Sequence, residues 1–443
     1  MKHRPAPSFL LKPLLTLGLL LCALITALPA ASQPDQPILT PTAPSALGAP
    51  AAVTPQPASI SDAYGWSCDD FPCEDDAEAW LRRIQVPPGF SLSLYGQFPG
   101  QPMQMTFGPD GRLYATVLEN GTRQGAVYAL ESGGTVERIT QTLESPVGLA
   151  FAPGTETLYI SSRVTAESGG ALWRVVDGSA TLLIDDLPCC YSAVSNQPQG
   201  VTFGPDGYLY LGVSSLTDHA EPSNPQFERY ATPQPYEGSI LRIQPQNGAA
   251  DVYAEGLRDP YDLAFAPDGR LYATDGGMLN GIGDRILSIE RGAHYGFPFW
   301  RNRGCEDCPP TDYSLTIPAD LLPLPPYTLP RGLTVYSGAQ FPANYFGSVF
   351  VTLWNGTPTA QRVIRLDPDQ LPADPEQLAV FTPEPFVTGL IRPVDVTVAP
   401  DGTLLVADFI YGFVWRVTWT GVITPPATLT SAPFIFATNT PQP

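Results

Sequence analysis

Residues with ligating or reactive side chains fall into a few short strings of this 443-residue chain: Asp218-His219, Arg258-Asp259, Asp275-Gly276-Gly277, Gly283-Asp284, Trp354-Asn355 and Arg392. Guanidinium groups clamp carboxylates in a bidentate fork. Carboxylates and the exposed carbonyls of glycine loops suit a hard, oxygen-loving cation such as Ca²⁺. An indole offers a flat apolar face. Together these residue types suit an anionic planar ligand bound beside a hard cation.

These strings need a scaffold that brings them to one place, and a repeat provides it. The phrase Phe-x-Pro-Asp-Gly-x-Leu-Tyr, or a variant, begins at Phe107, Phe151, Phe203, Phe265 and Val398. Each copy is a short apolar strand, a turn and an alternating strand. The first three intervals are 44, 52 and 62 residues, and the last is 133, with room for one divergent unit. The string Tyr345 to Trp354 fills that gap. Six hairpins at such intervals predict an all-β, six-bladed β-propeller. The Asp-Gly turns are structural, because glycine tolerates the φ > 0 that reverses the chain. They face one end of the propeller, the bottom. Loops that enter the first strand of a blade or leave its second strand therefore face the top. Gln197, His219, Arg258, Asp275 to Gly277, Asp284, Trp354 and Arg392 all lie on such loops, where a rigid scaffold presents binding residues.

The termini read differently. Residues 1–31 have a basic start (Lys2, Arg4, Lys12), an apolar stretch from Leu14 to Leu28 and a small-residue end, the pattern of a secretory signal peptide. Residues 32–60, rich in Pro, Ala, Thr and Ser, read as a disordered linker, and 423–443 as a similar tail. The propeller is expected over 61–422, with helical periodicity only at Glu74 to Ile84. Export predicts a secreted or periplasmic location. Of 23 Lys and Arg, three lie in the leader, and none of the 43 acids does, so the remainder carries 20 against 43, a net −23. Both lysines are in the leader, which excludes Schiff-base and P-loop chemistry. Strong acidity argues against nucleic acid and anionic membranes as partners. Six cysteines remain, with Cys68–Cys73 and Cys305–Cys308 as plausible local bridges and Cys189-Cys190 unplaced; a zinc site is the alternative for the CxxC. Asn120 and Asn355 begin Asn-Gly-Thr sequons.

Leu257-Arg258-Asp259-Pro260, the hairpin that follows it, Gly283-Asp284-Arg285-Ile286 and Ala293-His294-Tyr295-Gly296-Phe297-Pro298 resemble the ordered motifs of the soluble quinoprotein glucose/sorbosone dehydrogenases. Val86 to Gly96 and Arg392 to Asp408 resemble that family's first strand and last blade. The resemblance spans most of residues 80–420. It implies a six-bladed propeller that oxidises a sugar with pyrroloquinoline quinone (PQQ) and Ca²⁺, passing electrons to an acceptor.

Carried over by motif, the resemblance implies cofactor contacts from Arg258, Tyr295, Trp354 and Arg392. It implies a metal site at Gly276 and Gly277, with Asp275 and Asp284. It also exposes departures. Gln197 stands where the family has its catalytic histidine, and an amide is no general base. Asp259 replaces an asparagine, Val394 an arginine, and the fifth-blade motif lacks its arginine at Gly356. His219 is the candidate substitute base, with Asp218 and Asp259 as alternatives if burial raises their pKa; His294 is expected in a turn. The competing readings are a catalytically inactive propeller that binds a glycan or a protein, and a lactonase-type hydrolase, for which no clear glutamate is evident.

Overall fold

The strand pair around each Pro-Asp-Gly turn forms as its alternation predicts. The computed structural model describes residues 76–421 except 120, 191–196, 220–233, 280 and 356–360. Chain contacts separate Met1–Gln56 from Pro57–Pro443. The expected leader, linker, tail and Cys68–Cys73 bridge lie outside the described residues, as does Asn120.

The strands build six antiparallel sheets of propeller type. Blade 1 holds Gln101–Phe107, Leu113–Leu118 and Gln124–Leu130, with Val136–Arg138 and Leu143–Glu144 at its edge. Blade 2 is Leu149–Phe151, Leu158–Arg163, Gly170–Val176 and Ser179–Leu187. One bridge, Glu144 to Arg163, joins these two into a continuous nine-stranded sheet. Blades 3 and 4 start at Pro198–Phe203 and Pro260–Phe265. Blade 5 runs through Pro330–Val335, Val349–Leu353, Arg362–Leu366 and Glu384–Val387. Blade 6 comprises Pro393–Val398, Leu404–Asp408 and Phe413–Trp419, and takes its outer strand, Phe90–Gln97, from the start of the described chain. Pairing Phe90 with Trp419 ties the first strand of the described chain to its last, so one blade is built from both ends. The expected helix is Ala77–Arg83, capped by Asp76, whose carboxylate accepts the Glu78 N–H.

The repeated phrase is a device that works between blades. In blade 1 the Tyr114 hydroxyl donates to Asp110 of its own turn (2.9 Å), and Tyr210 does the same to Asp206 in blade 3 (3.0 Å). The tyrosine ring then packs edge-on against the phenylalanine of the following blade: Tyr114 on Phe151, Tyr159 on Phe203, Tyr210 on Phe265, with centroids 4.9, 5.6 and 4.9 Å apart. Higher up, second-strand hydroxyls clamp the next blade's first strand. Thr116 donates to the Val147 carbonyl, Ser161 to Gln199 and Thr274 to Arg331 (2.7 Å).

First strands converge on the axis, where space is short. Each has a proline at or just before its first residues: Pro102, Pro146, Pro198, Pro260, Pro330 or Pro393. Two residues on stand Gln104, Gly148, Gly200, Asp262, Gly332 and Asp395. Gln104 Nε2 donates across the axis to the Tyr261 carbonyl (3.0 Å), and the Tyr261 hydroxyl returns a bond to Met103 (3.2 Å), which closes the channel. Asp262 and Asp395 accept backbone N–H groups of the next blade, from Leu333 (2.8 Å) and Met105 (2.6 Å).

Burial pushes Asp262 up to about 7 and raises Asp395 as well, Asp262 adding to the effect on Asp395. A carboxyl whose folded pKa exceeds its unfolded value contributes stability that is complete below the unfolded pKa and is lost as pH rises through the folded one. Asp262→Asn removes this titration. The gap in melting temperature between parent and variant, measured by calorimetry, should therefore narrow as pH rises from 5 to 8. A gap independent of pH would show that Asp262 stays ionised in the folded protein.

Candidate active site

Above the Gln104–Tyr261 closure lies a cavity of about 320 Å³. Blades 1, 4, 5 and 6 line it, so it sits over the axis on the top face. Met103, Tyr261, Trp354 and Phe409 give it apolar and aromatic walls, and Arg331 and Arg123 give it positive charge. Trp354 and Phe409 meet edge-to-face at 4.8 Å. The Arg331 guanidinium lies over Tyr261, 4.5 Å from the ring centroid. A flat aromatic anion matches this chemistry of walls and charge.

Beside the cavity, buried aspartates hold the loops in place. Asp275, fully buried at the end of a second strand, accepts the backbone N–H groups of Arg258 (3.0 Å) and Asp259 (2.8 Å). Its other oxygen takes the Arg285 guanidinium (2.9 Å). Asp408 occupies the same place in blade 6 and accepts the N–H groups of Ile391 (2.9 Å) and Arg392 (3.1 Å). Burial raises both carboxyls above the usual range. Asp284 accepts the Gly277 N–H on one oxygen and those of Thr328 (2.8 Å) and Leu329 (3.2 Å) on the other. Both aspartates expected at the metal therefore have their oxygens engaged in holding backbone. Among the described residues, no three His, Cys, Asp or Glu side chains gather where they could hold a metal ion. The carbonyl oxygens of Gly276 and Gly277 are buried and accept no hydrogen bond from a described residue. That pair fits a hard cation better than the carboxylates do. A Cβ on Gly277 would run into the Ile282 carbonyl and the Asp284 backbone.

Arg258 and His219 come together as the propeller geometry predicts. Asp218 links them. Its Oδ1 accepts from the Arg258 guanidinium (2.9 Å) and the Leu279 N–H (2.8 Å), while its Oδ2 lies 3.3 Å from His219 Nδ1. The His219 side chain remains 24% exposed, enough to meet a solute. Asp259 is nearly buried. It accepts from Ser214 Oγ (2.6 Å) and Gln199 Nε2 (3.4 Å), and lies between the guanidinium groups of Arg258 (4.0 Å) and Arg331 (3.8 Å). Arg392 donates to the Trp354 carbonyl (3.1 Å), which joins blades 5 and 6 at the cavity wall.

Two sequence-derived expectations meet a geometric obstacle. Gln197 is fully buried. Its Oε1 accepts from Arg163, and its Nε2 donates to the Ser145 carbonyl (2.9 Å), so the amide braces a buried arginine and faces no ligand. Tyr295 is also fully buried. Its hydroxyl donates to the Ser288 carbonyl (2.7 Å) and accepts the Glu290 N–H (2.8 Å), making it a pillar of blade 4 with no exposed surface. His294 lies in the turn before it and accepts the Gly296 N–H on Nδ1 (2.9 Å). Cys305 and Cys308 form the expected bridge, buried with Met278 and Trp300 under the 276–284 loop, and Cys189 is bonded to Cys190.

Arg331 and Arg163 are the residues that sequence reasoning missed. Arg331 follows the proline of the fifth first strand. Aligning Pro330-Arg331-Gly332-Leu333-Thr334-Val335 with Pro260 to Phe265 would have located it.

The glucose/sorbosone dehydrogenase family model matches residues 195–409, which bears out the resemblance carried by the motifs from Arg258 to Asp408. An uncharacterized protein of Borreliella burgdorferi is 22% identical over 372 residues, covering 77% of this chain and 92% of its own. Among solved structures, an oxidoreductase described as a glucose dehydrogenase, from Thermus thermophilus, superposes with a TM-score of 0.56 at 21% identity, over 74% of this chain and 99% of its own. The holo PQQ domain of pyranose dehydrogenase from Coprinopsis cinerea does so with 0.56 at 17% identity, over 76% and 97%. These likenesses establish the propeller fold.

Asp284 faces backbone donors on both oxygens, so an amide there would turn an N–H toward another N–H. Leaving one such buried bond unmade costs about 1–3 kcal/mol. Asp284→Asn should lower unfolding free energy by that amount in urea titrations. An unchanged midpoint would mean that the carboxylate does not hold the two loops together.

Proposed function

We propose that this chain, matched over residues 195–409 by the glucose/sorbosone dehydrogenases, is an exported, PQQ-dependent sugar dehydrogenase with a relocated base. The supporting observation is the axial cavity, with its aromatic walls, its arginine and the adjacent pair of unshared glycine carbonyls. Trp354 would supply a flat face, Arg392 and Arg258 positive charge toward carboxylates, and Gly276 and Gly277 the oxygens for Ca²⁺. The quinone with its Ca²⁺, when bound, supplies the acceptor for the two electrons that leave the sugar carbon.

The chain's own part is to orient the sugar and remove its hydroxyl proton. His219 is the best-supported base. With Nδ1 turned to Asp218, the nitrogen that takes the proton is Nε2. Asp218 orients the ring and stabilises the imidazolium that forms, and Arg258 fixes Asp218 in turn. Asp259 is less suited, because it is nearly buried, its Oδ1 already serves Ser214 and Gln199, and two guanidinium groups lie beside its Oδ2.

A second reading, a catalytically inactive propeller that binds a glycan or a protein, draws support from Gln197. The family's base position is filled here by an amide locked to Arg163 and Ser145.

Purified protein should bind PQQ in the presence of Ca²⁺, seen in its absorption spectrum, and reduce a dye with an aldose from a panel. His219→Gln should cut kcat by about 100-fold or more, the usual contribution of a general base, while quinone affinity stays within about twofold. No bound quinone would sink the dehydrogenase reading. Bound quinone without turnover would favour the binding module. Full activity in His219→Gln would move the base to Asp259.

A further inference from the structure

We propose that Arg331 is the anchor for a ligand carboxylate in the axial cavity, so that the site selects a planar aromatic polycarboxylate through a cation on the first strand of blade 5. The inference rests on the cofactor reading above and adds to Arg258 and Arg392 a cation whose hydrogen bonds are not already committed.

Arg331 differs from the other buried arginines of the top face in what its guanidinium does, and from Arg123, the second cation of the cavity wall, in that Arg123 is exposed. Arg258 donates to Asp218, Arg392 to the Trp354 carbonyl, Arg285 to Asp275 and Arg163 to Gln197. The Arg331 guanidinium donates no hydrogen bond to a described residue. Its nearest charged partner, Asp259, is 3.8 Å away, beyond hydrogen-bond length. Yet its side chain is only 12% exposed. A guanidinium carries five N–H donors, and none of those of Arg331 is both buried and unpartnered, so the unbonded ones keep open access. Those donors are turned to the cavity that Arg331 lines.

The surroundings fix that orientation. Thr274 holds the Arg331 carbonyl (2.7 Å), which pins the backbone at the top of the strand. The guanidinium plane lies over Tyr261 (4.5 Å) and within 5.7 Å of the Trp354 centroid. A stacked guanidinium is pre-organised, so little freedom is lost when its fork closes on a carboxylate. Asp259 shares its charge between Arg331 and Arg258 and already accepts two hydrogen bonds, which leaves positive potential on the cavity side. Trp354 and Phe409 then face the ring system of the ligand.

The test is isothermal titration of the full-length protein with PQQ in Ca²⁺, and separately with pyridine-2,6-dicarboxylate as a simple planar dianion. Arg331→Gln should weaken both by at least about tenfold, the scale of one charge-assisted hydrogen bond, and flatten the salt dependence of binding. Arg331→Lys should recover part of the loss, with melting temperatures within a few degrees of the parent. Unchanged affinity for both probes in Arg331→Gln would overturn the proposal. If the parent binds the dicarboxylate and not PQQ, and Arg331→Gln loses the dicarboxylate, the anionic subsite stands and the quinone reading falls. A parent that binds neither overturns both.

Discussion

Backbone N–H groups buried at the top of the propeller must find acceptors, and the shape of the site follows from how they do. Loops entering a blade turn sharply away from the sheet, so their amides lose ladder partners. Asp275 and Asp408 supply acceptors at equivalent places in blades 4 and 6, each taking two successive amides. Those amides belong to Arg258 and Asp259 in one case and to Ile391 and Arg392 in the other. Two of the arginines proposed to face the ligand therefore stand where they do because a buried carboxylate holds their backbone. Asp284 extends the same principle to the Gly277 loop and to Thr328 and Leu329, whose carbonyls accept from Asn355 (3.2 Å) and Trp354 (3.1 Å). Carboxylates committed in this way are poor metal ligands, since coordination would strip acceptors from buried amides. The division of labour is then natural: aspartates hold the loops, and loop carbonyls are left for a cation.

The fate of Gln197 follows a related logic. An amide can donate and accept at once, and Gln197 does both, toward Ser145 and Arg163. Arg163 is a fully buried cation, and such a group is tolerable only when its donors are bonded. Replacing Gln197 by histidine would remove one side of that arrangement and set a titratable ring beside a fixed positive charge, which disfavours the charged form a base must reach. Basic function at this position and a buried Arg163 are hard to combine. The Asp218–His219 pair carries the opposite electrostatics, with a carboxylate against the ring and Arg258 on the far side of that carboxylate.

Much of the scaffold is legible in the sequence because it repeats. The Phe-x-Pro-Asp-Gly-x-Leu-Tyr phrase encodes the turn, the tyrosine bond to the turn aspartate and the ring contact with the next blade, so one pattern reports three interactions. It also locates the top face, and with it Arg258, His219, Trp354 and Arg392. Tyr295 is misjudged by its motif because a motif gives identity and spacing but not direction: its ring points into blade 4, where its hydroxyl bonds Ser288. Arg331 escapes notice for a different reason. Blade 5 lacks the Pro-Asp-Gly turn, so the string Tyr345 to Trp354, which contains its second strand Val349–Leu353, is what the pattern finds, and its first strand goes unread. The proline at or near the start of every first strand is the better marker there, because blade 5 has it at Pro330 as the other blades do.

The charge distribution ties these points together. Residues 32–443 are strongly acidic and contain no lysine, so every fixed cation of the candidate site is an arginine. Arginine keeps its charge when nearly buried and holds its plane when stacked, as Arg331 does on Tyr261. In a molecule of net negative charge, long-range attraction for an anionic ligand is weak, and affinity has to come from short contacts inside the cavity. That favours a ligand with several carboxylates and a large aromatic face, which can meet an arginine and an indole together. A neutral sugar gains nothing from the guanidinium charge and, in the proposed reading, would be held by hydrogen bonds and shape, with the partly exposed His219 as its base. On the proposed reading, the electrostatics of the chain divide the work: the cationic, aromatic cavity would take the anionic group, and the Asp218–His219 pair would serve the sugar.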